Sequence, residues 1–161
     1  MSTRYFALCE KYKETNVQLP VRSTSKSAGY DFTAPEDIEI PSIWKQVIKS
    51  FFTKEEIKPT CVFTHVKSKM RGNEVLFLFN RSSNPGRGLV LANGVGVCDA
   101  DYFENETNDG DIGFAFYNFM PWTVKIQKGQ KIGQGVFTTY LRTDVDTATE
   151  TRSGGFGSTG E

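Results

Sequence analysis

The sequence predicts an all-β fold of the jelly-roll, β-sandwich or small-barrel kind. Phenylalanine is unusually common, at 13 of 161 residues, and aromatic side chains favour the half-buried surfaces of pleated sheets. The segment WTVKIQ (122–127) alternates apolar and polar residues, which is typical of a strand with one buried face. Turn-forming clusters separate such segments at NPGRG (84–88), ENETNDGD (104–111) and QKGQ (127–130). Many short strands between turns at this spacing are typical of these layered or closed β folds.

The strands differ in how many of their faces are apolar. In WTVKIQ we expect Trp122, Val124 and Ile126 to share one face. EVLFLF (74–79) and IGFAFYNF (112–119) are apolar on both faces. Strands of that kind are covered on both sides, by a second sheet or by a neighbouring subunit.

One segment, PSIWKQVIKSFFTKEEIKP (41–59), departs from the strand pattern and predicts a short amphipathic helix at about 42–56. Ser42 can cap its start, and Pro59 follows its end. Apolar residues recur at helical spacing in two rows, which are Ile43, Val47 and Phe51, and Trp44, Ile48 and Phe52.

Composition excludes several classes of function. Nineteen basic residues balance nineteen acidic ones, so bulk attraction to nucleic acid or to an anionic membrane is not expected. The three cysteines form no CxxC pair, and no apolar run reaches the length of a membrane span, so we expect a soluble cytoplasmic protein. With His65 as the single histidine, an enzyme of this sequence would use a carboxylate base and a hard, oxygen-bound metal ion.

Two segments have the residues of a nucleotide site. LANGVGVCDADY (91–102) places Asp99 and Asp101 on one face of an extended strand, beside glycines that expose backbone and an aromatic Tyr102. The alternative is a β-hairpin with a solvated acidic end. NRSSNPGRG (80–88) offers a guanidinium group, hydroxyls and turn amides, which together suit an oxyanion, although a plain polar loop fits it as well.

The chain becomes polar and glycine-rich near residue 143. We therefore divide it into a β domain, 1–142, and an arm, 143–161. The arm ends in RSGGFGSTGE (152–161), which suits either a disordered terminus or a lid that closes over an anion. It lacks the GK[ST] ending of a P-loop.

Five segments, in this order, resemble the trimeric dUTPase (dUTP diphosphatase) family. They are AGYDF (28–32), RSS (81–83), NGVGVCDADY (93–102), GQKIGQGVF (129–137) and RSGGFGSTG (152–160). The resemblance implies a jelly-roll-like subunit in a homotrimer, in which each active site borrows motifs from all three chains. It also implies Mg²⁺-dependent hydrolysis of dUTP to dUMP and pyrophosphate, which supplies the dTTP precursor and keeps uracil out of DNA. The flexible arm would close over a neighbouring subunit's site.

The resemblance also implies a role for individual residues. Asp99 would be the general base that activates water for attack on the α-phosphorus, with Arg81 and Gln134 at the phosphates. Asp31 would support Mg²⁺ through a water molecule. The implied substrate-binding residues are Ser82, Ser83, Asn93, Gly96, Val97, Tyr102, Arg152, Phe156, Gly157, Ser158 and Thr159. Among these, the serines after Arg81 would hold phosphates, and residues 93–97 would hold uracil. Tyr102 would pack beneath the deoxyribose, and the tail would stack Phe156 on the base and bind the γ-phosphate.

Two other functions remain open at this point. RSSNPGRGL is similar to a stretch of dCTP deaminases, but the position of their catalytic glutamate is Ala115 here. A non-catalytic interaction module is the second alternative, since some dUTPases of mobile elements also bind regulatory proteins. In that case the 42–56 segment, with exposed Lys45, Lys49, Lys54 and Glu55, would contact the partner.

Overall fold

The computed structural model describes residues 3–149 and contains twelve short strands and one α-helix, α1 (Ile43–Thr53). The predicted all-β fold with one short helix is therefore confirmed. The strands are β1 (Tyr5–Leu8), β2 (Val21–Arg22), β3 (Tyr30–Thr33), β4 (Ile38–Ile40), β5 (Thr60–Phe63), β6 (Val66–Lys69), β7 (Glu74–Asn80), β8 (Leu89–Leu91), β9 (Gly96–Asp99), β10 (Gly113–Asn118), β11 (Val124–Ile126) and β12 (Lys131–Thr139).

The strands form one large sheet and three small ones. The large sheet has the order β2-β3-β12-β7-β9, and a three-stranded sheet has the order β5-β10-β8. Two further pairs, β1-β6 and β11-β4, complete the layers. All eight strand pairings are antiparallel. Most neighbours in the large sheet are far apart in sequence, so residues from distant segments meet on it.

The core lies between the five-stranded and three-stranded sheets. Phe32 of β3 and Phe114 of β10 are both fully buried, and their ring centroids are 5.4 Å apart. Gly133 of β12 lies directly under Phe114, where an added Cβ atom would come within 2.1 Å of the ring. Glycine at this position therefore allows the two sheets to pack closely.

Helix α1 begins where the sequence predicts and ends earlier. The Ser42 hydroxyl accepts a hydrogen bond from the N–H of Trp44 at 3.3 Å and so caps the first turn. Lys54, with φ 56°, closes the helix in a left-handed conformation by donating its N–H to Ser50, about two residues before the predicted end at 56. Phe51 and Phe52 are 82% and 86% exposed, and so the apolar residues at the end of the helix do not pack on the core, whereas Ile43 and Val47 are half-buried.

One local expectation was wrong. Trp122 precedes β11 and is 62% exposed, so it does not share the buried face of Val124 and Ile126. Within this one chain, one face of β10 is fully buried and the other, which includes Ala115, is half-buried, so cover of the second face by a neighbouring subunit stays a prediction. His65 lies at a bend with φ 64°, where its ring stacks on Tyr12.

The chain leaves the sheet at β12 and is exposed from there to the end of the described residues. Both Tyr140 and Arg142 donate side-chain hydrogen bonds to the carbonyl of Gly72, at 2.8 and 3.0 Å. These bonds hold the chain just before the arm that we expect from residue 143. None of the helices in residues 3–149 is long and apolar enough to span a membrane. The three cysteines are free thiols.

Candidate active site

A cleft of about 190 Å³ opens at one edge of the five-stranded sheet. Its lining residues come from three separate segments of the chain. They are Ser23, Ser27, Gly29, Asp31, Arg81, Ser82 and Gln134. Four of the residues assigned from the sequence, at positions 31, 81, 82 and 134, therefore lie together. They meet because β12 pairs with both β3 and β7, which places Gln134 opposite Asp31 on one side and Phe79 on the other.

Asp31 is the electrostatic centre of the cleft. Its Oδ2 accepts hydrogen bonds from Lys131 Nζ and Ser23 Oγ, each at 2.6 Å, and its Oδ1 lies 3.6 Å from Nε of Arg81. Burial alone would raise the pKa of the Asp31 carboxyl group, but the bonds from Lys131 and Ser23 and the nearby charges outweigh it and hold this pKa below its usual range. One carboxylate thus orients two cations at the cleft.

Gln134 faces the cleft, whereas the glycines on either side of it lie against the core. Gly133 and Gly135 point into the core, where an added Cβ atom at Gly135 would lie within 2.9 Å of both Leu76 and Phe32. Alternation along β12 then directs the amide of Gln134 to the outer face. The amide lies over Gly29, since an added Cβ atom there would come within 2.5 Å of Gln134 Oε1. The glycines of two motifs therefore position one glutamine.

Buried amides hold the loop that bears Arg81. Asn84 donates to the carbonyl of Ile132 and to Oδ1 of Asn80, both at 2.7 Å. Asn80 in turn accepts the N–H of Arg81 at 3.0 Å. The sequence analysis did not identify Asn80, Asn84 or Lys131. Asn84 and Lys131 bond to Ile132 and Asp31, which are 48 and 100 residues away in the sequence. Ser83 is exposed and does not line the cleft.

The segment 92–95 joins the two main sheets, so β8 and β9 do not form the β-hairpin that the sequence offered as the alternative. β8 pairs with β10 in one sheet, whereas β9 pairs with β7 in the other. The tight turn between them requires Gly94, which has φ 68°. Asn93 and Val95 are exposed there, and the N–H of Val95 donates to the Asn93 carbonyl at 2.7 Å.

Gly96 and Val97, which we expect to bind uracil, lie on opposite faces of β9. Gly96 faces the core, where an added Cβ atom would lie 2.9 Å from Leu78, so the close approach there is to this leucine. Val97 is 56% exposed on the outer face, beside Phe77. Gly96 can therefore contact a ligand only through its backbone atoms.

Asp99 ends β9, opposite Val75, and is half-buried. The chain then turns into a 3-10 helix, Ala100–Tyr102, so the expected strand alternation between Asp99 and Asp101 does not continue. The ring of Tyr102 is only 7% exposed, and its hydroxyl donates to the carbonyl of Asp111 at 2.9 Å.

The cleft and Asp99 are far apart within one chain. Arg81 follows the end of β7, whereas Asp99 pairs with Val75 near its start. With about 3.4 Å per residue and about 4.8 Å between strands, the backbones of Arg81 and Asp99 are roughly 20 Å apart. Side chains cannot bridge this separation by a hydrogen bond. Within residues 3–149, no three acidic, histidine or cysteine side chains converge as a metal cage, and the assigned tail residues at 152–159 lie outside the described residues.

Comparison with known proteins points to one family. A protein-family model described as dUTPase matches residues 15–160. A Lactococcus lactis protein named deoxyuridine 5'-triphosphate nucleotidohydrolase is 42% identical over 163 residues, covering 99% of each chain. The crystal structure of dUTPase from Streptococcus mutans has a TM-score of 0.71 and 39% identity, covering 86% of this chain and 98% of that one. The dUTPase from Staphylococcus aureus phage phi11 has the same fold, with a TM-score of 0.67 at 18% identity, covering 94% and 99%.

Proposed function

This chain belongs to the dUTPase family, and on that premise we propose that it hydrolyses dUTP to dUMP and pyrophosphate. The observation that carries the proposal is the convergence of Asp31, Arg81, Ser82 and Gln134 in one cleft. A guanidinium group, a hydroxyl and an amide around a small opening suit phosphate oxygens. These residues come from three of the five motif segments, so their meeting is a property of the folded chain.

The phosphate groups bind at this cleft in our proposal. Arg81 neutralises charge and Ser82 donates a hydrogen bond, while Gln134 adds a polar contact. Asp31 keeps Arg81 and Lys131 in place, because it carries the only acidic side chain among the cleft's lining residues. In-line attack on a phosphorus atom depends on positioning and charge neutralisation, which such a cleft supplies.

Asp99 is the general base in our proposal, and it acts in a cleft of another subunit. It accepts the proton of the water that attacks the α-phosphorus. The separation of roughly 20 Å between Arg81 and Asp99 in one chain, estimated from strand geometry, supports a site built from two or more copies. The outer face of the five-stranded sheet, with Phe77, Val97 and Val136 side by side, would gain cover in a homotrimer.

Uracil binds at the turn 92–95 and the backbone of Gly96, and the deoxyribose lies against Tyr102. The arm 143–161 then closes from a neighbouring subunit and stacks Phe156 on the base. Stacking of this kind contributes about 1–3 kcal/mol. The fold supports such a reach, because the bonds from Tyr140 and Arg142 to Gly72 are the last anchors before the arm.

Magnesium enters with the substrate in our proposal. The described chain offers no cage of acidic ligands, and Lys131 and Ser23 occupy Oδ2 of Asp31. Mg²⁺ retains waters readily and binds substrate phosphates alongside one or two carboxylates. Oδ1 of Asp31 is then the atom that would accept a hydrogen bond from a metal-bound water.

Pyrophosphate release from dUTP, measured beside dCTP, dTTP and UTP with Mg²⁺ present, tests the proposal. We expect release from dUTP alone, with dUMP as the nucleotide product. Deoxyuridine nucleotide formed from dCTP would favour deamination, although Ala115 at the glutamate position argues against it. Well-folded protein that leaves all four nucleotides intact would overturn the proposal.

A second function, binding of a regulatory protein, is favoured by the exposure of Phe51 and Phe52 on α1. Large exposed apolar groups on one helix face are typical of interaction surfaces. Replacing both by serine should leave dUTP hydrolysis intact and remove any partner that copurifies with the wild-type protein. A partner that binds both proteins equally would exclude this surface.

A further inference from the structure

The hydroxyl of Tyr102 is held from two sides. It donates to the carbonyl of Asp111 at 2.9 Å and accepts from Nδ2 of Asn108 at 2.7 Å. Burial raises the pKa of this hydroxyl to about 12, so it remains a donor at neutral pH. With the donor used and an acceptor position filled, the hydroxyl end of the ring cannot be displaced without breaking a buried hydrogen bond.

Two asparagine side chains connect both ends of the tyrosine. Asn108 Oδ1 accepts from Nδ2 of Asn105 at 2.8 Å and from the N–H of Gly110 at 3.2 Å. Asn105 also donates to the main-chain carbonyl of Tyr102 at 2.8 Å. The phenol and the backbone of Tyr102 are therefore tied into one amide network.

The loop that carries this network, residues 103–111, is held against the rest of the chain. Lys67 Nζ donates to Asp109 at 2.8 Å and to Glu104 at 3.1 Å, and the N–H of His65 donates to Asp111 at 2.7 Å. Gly110, with φ 82°, lets the loop approach closely, since an added Cβ atom would lie 2.7 Å from the carbonyl of Tyr102. Because these contacts fix the loop, the loop itself moves little and holds the Tyr102 ring in one position.

We propose that Asn108 is a positioning residue that fixes the ring of Tyr102 and thereby sets the discrimination of dUTP from UTP. The inference rests on the proposed function, in which the deoxyribose lies against Tyr102. A pocket that only contacts a sugar discriminates weakly against an added hydroxyl group. Rejection of the 2′-hydroxyl group of UTP by shape then requires that the Tyr102 ring does not move aside. The amide network holds the ring in place.

The test compares Asn108→Leu with the wild-type protein. Leucine is close to asparagine in size and removes both amide functions. We expect the ratio of kcat/KM for dUTP to that for UTP to fall about tenfold, because UTP gains entry, while kcat/KM for dUTP falls less than about threefold. The matched control is Asn73→Leu at an exposed asparagine, which should leave the ratio unchanged.

A double-mutant cycle separates positioning from general damage. Tyr102→Phe keeps the ring and removes the hydroxyl group, so it should lower the same ratio. Adding Asn108→Leu to it should lower the ratio no further, because both changes remove the same hydrogen bond between Asn108 and the Tyr102 hydroxyl group. Should Asn108→Leu fail to fold, Asn108→Asp replaces it in the cycle, since it still accepts from Asn105 but cannot donate to the phenol.

Two outcomes would overturn the inference. One is a dUTP-to-UTP ratio that stays at the wild-type value in every folded Asn108 variant. The other is full additivity of the two changes. A wild-type protein that does not hydrolyse dUTP would instead refute the proposed function, and the Tyr102–Asn108 coupling would then be read from thermal unfolding of the same four proteins, where additivity again contradicts it.

Discussion

The cleft around Asp31 and the side chain of Tyr102 are both held by polar contacts, but of different kinds. Ion pairs hold the cleft, where Asp31 lies between Lys131 and Arg81. Neutral amides hold the tyrosine, through Asn105 and Asn108. The cleft keeps cationic groups at its surface for an anionic ligand, whereas the amides of Asn105 and Asn108 bond within their own segment and to Tyr102. Charged side chains lie where the proposed ligand carries its phosphates. Neutral hydrogen-bonded side chains hold the tyrosine that we expect to contact the sugar.

The largest effect is expected at Asp99, which belongs to neither network. Asp99→Asn removes the proposed base and keeps the shape, so turnover of dUTP should fall by about 10²–10⁴-fold with little change in nucleotide affinity. Single-turnover kinetics and equilibrium binding measure the two quantities separately. Asp101→Asn, two residues further along the chain, is the control and should turn over dUTP normally. Wild-type turnover in Asp99→Asn would remove this residue from the mechanism.

Removing residues 152–161 tests whether the cleft and the loop support dUTP hydrolysis without the end of the arm. We expect kcat/KM for dUTP to fall roughly 10- to 100-fold, because stacking of Phe156 and the tail contacts to phosphate are lost. Assembly measured by light scattering should stay that of the full chain. A protein lacking only Glu161 serves as the control. Full activity without residues 152–161 would assign the tail no role in catalysis.

Asp31→Asn removes the ion pairs of the cleft and leaves the contacts of Tyr102 intact. Without the carboxylate, Lys131 and Arg81 lose their shared counter-charge, so we expect a loss of stability of about 1–2 kcal/mol and about a tenfold lower kcat/KM. Because the folded-state pKa of Asp31 lies below its unfolded value, its stabilisation is full above the unfolded pKa and is lost as pH falls through the folded pKa. Thermal unfolding of both proteins from pH 7 to pH 3 measures this.

The exposed pair Glu39–Lys125 is the matched control for that experiment. Glu39→Gln should change stability by less than about 0.5 kcal/mol, since both partners are exposed to water. If Asp31→Asn and Glu39→Gln cost the same, the cleft's ion pairs do not differ from surface pairs.

The smallest effect is expected at Asp111, beside the neutral network, and it has the opposite pH dependence. Burial raises the pKa of this carboxyl group to about 6, despite N–H donors from His65 and Thr64. Its ionisation therefore opposes folding above that pH, and the penalty disappears as pH falls toward the unfolded value. Asp111→Asn should gain stability relative to wild type, on the order of 1 kcal/mol, as pH rises from 4 to 7. A stability difference constant over that range would contradict the raised pKa.

Local signals in the sequence predicted the elements that local chemistry determines. Ser42 marks the start of α1, and the positions of the turns followed from glycine, proline and asparagine. The sequence also predicted the all-β class, because strand alternation is a property of each segment by itself. Trp122 shows the limit of this reasoning, since alternation continues in the sequence after the strand itself has ended.

The site was predictable in its residue types but not in its arrangement. The motif segments supplied Asp31, Arg81 and Gln134, and the fold brings them together. Lys131 and Asn84 escaped notice because their roles arise from partners about 50 to 100 residues away. Pairing across a sheet is a long-range choice that no single segment encodes.

The turn 92–95 ties two layers of the molecule together. It connects β8 in one sheet to β9 in the other through only four residues. Any sliding of one layer over the other must therefore pull on the backbone groups that we assign to uracil. A base held there would in turn resist that sliding, so nucleotide binding should slow amide exchange in β7 and β10 alike, and core substitutions between the layers should alter nucleotide affinity from a distance.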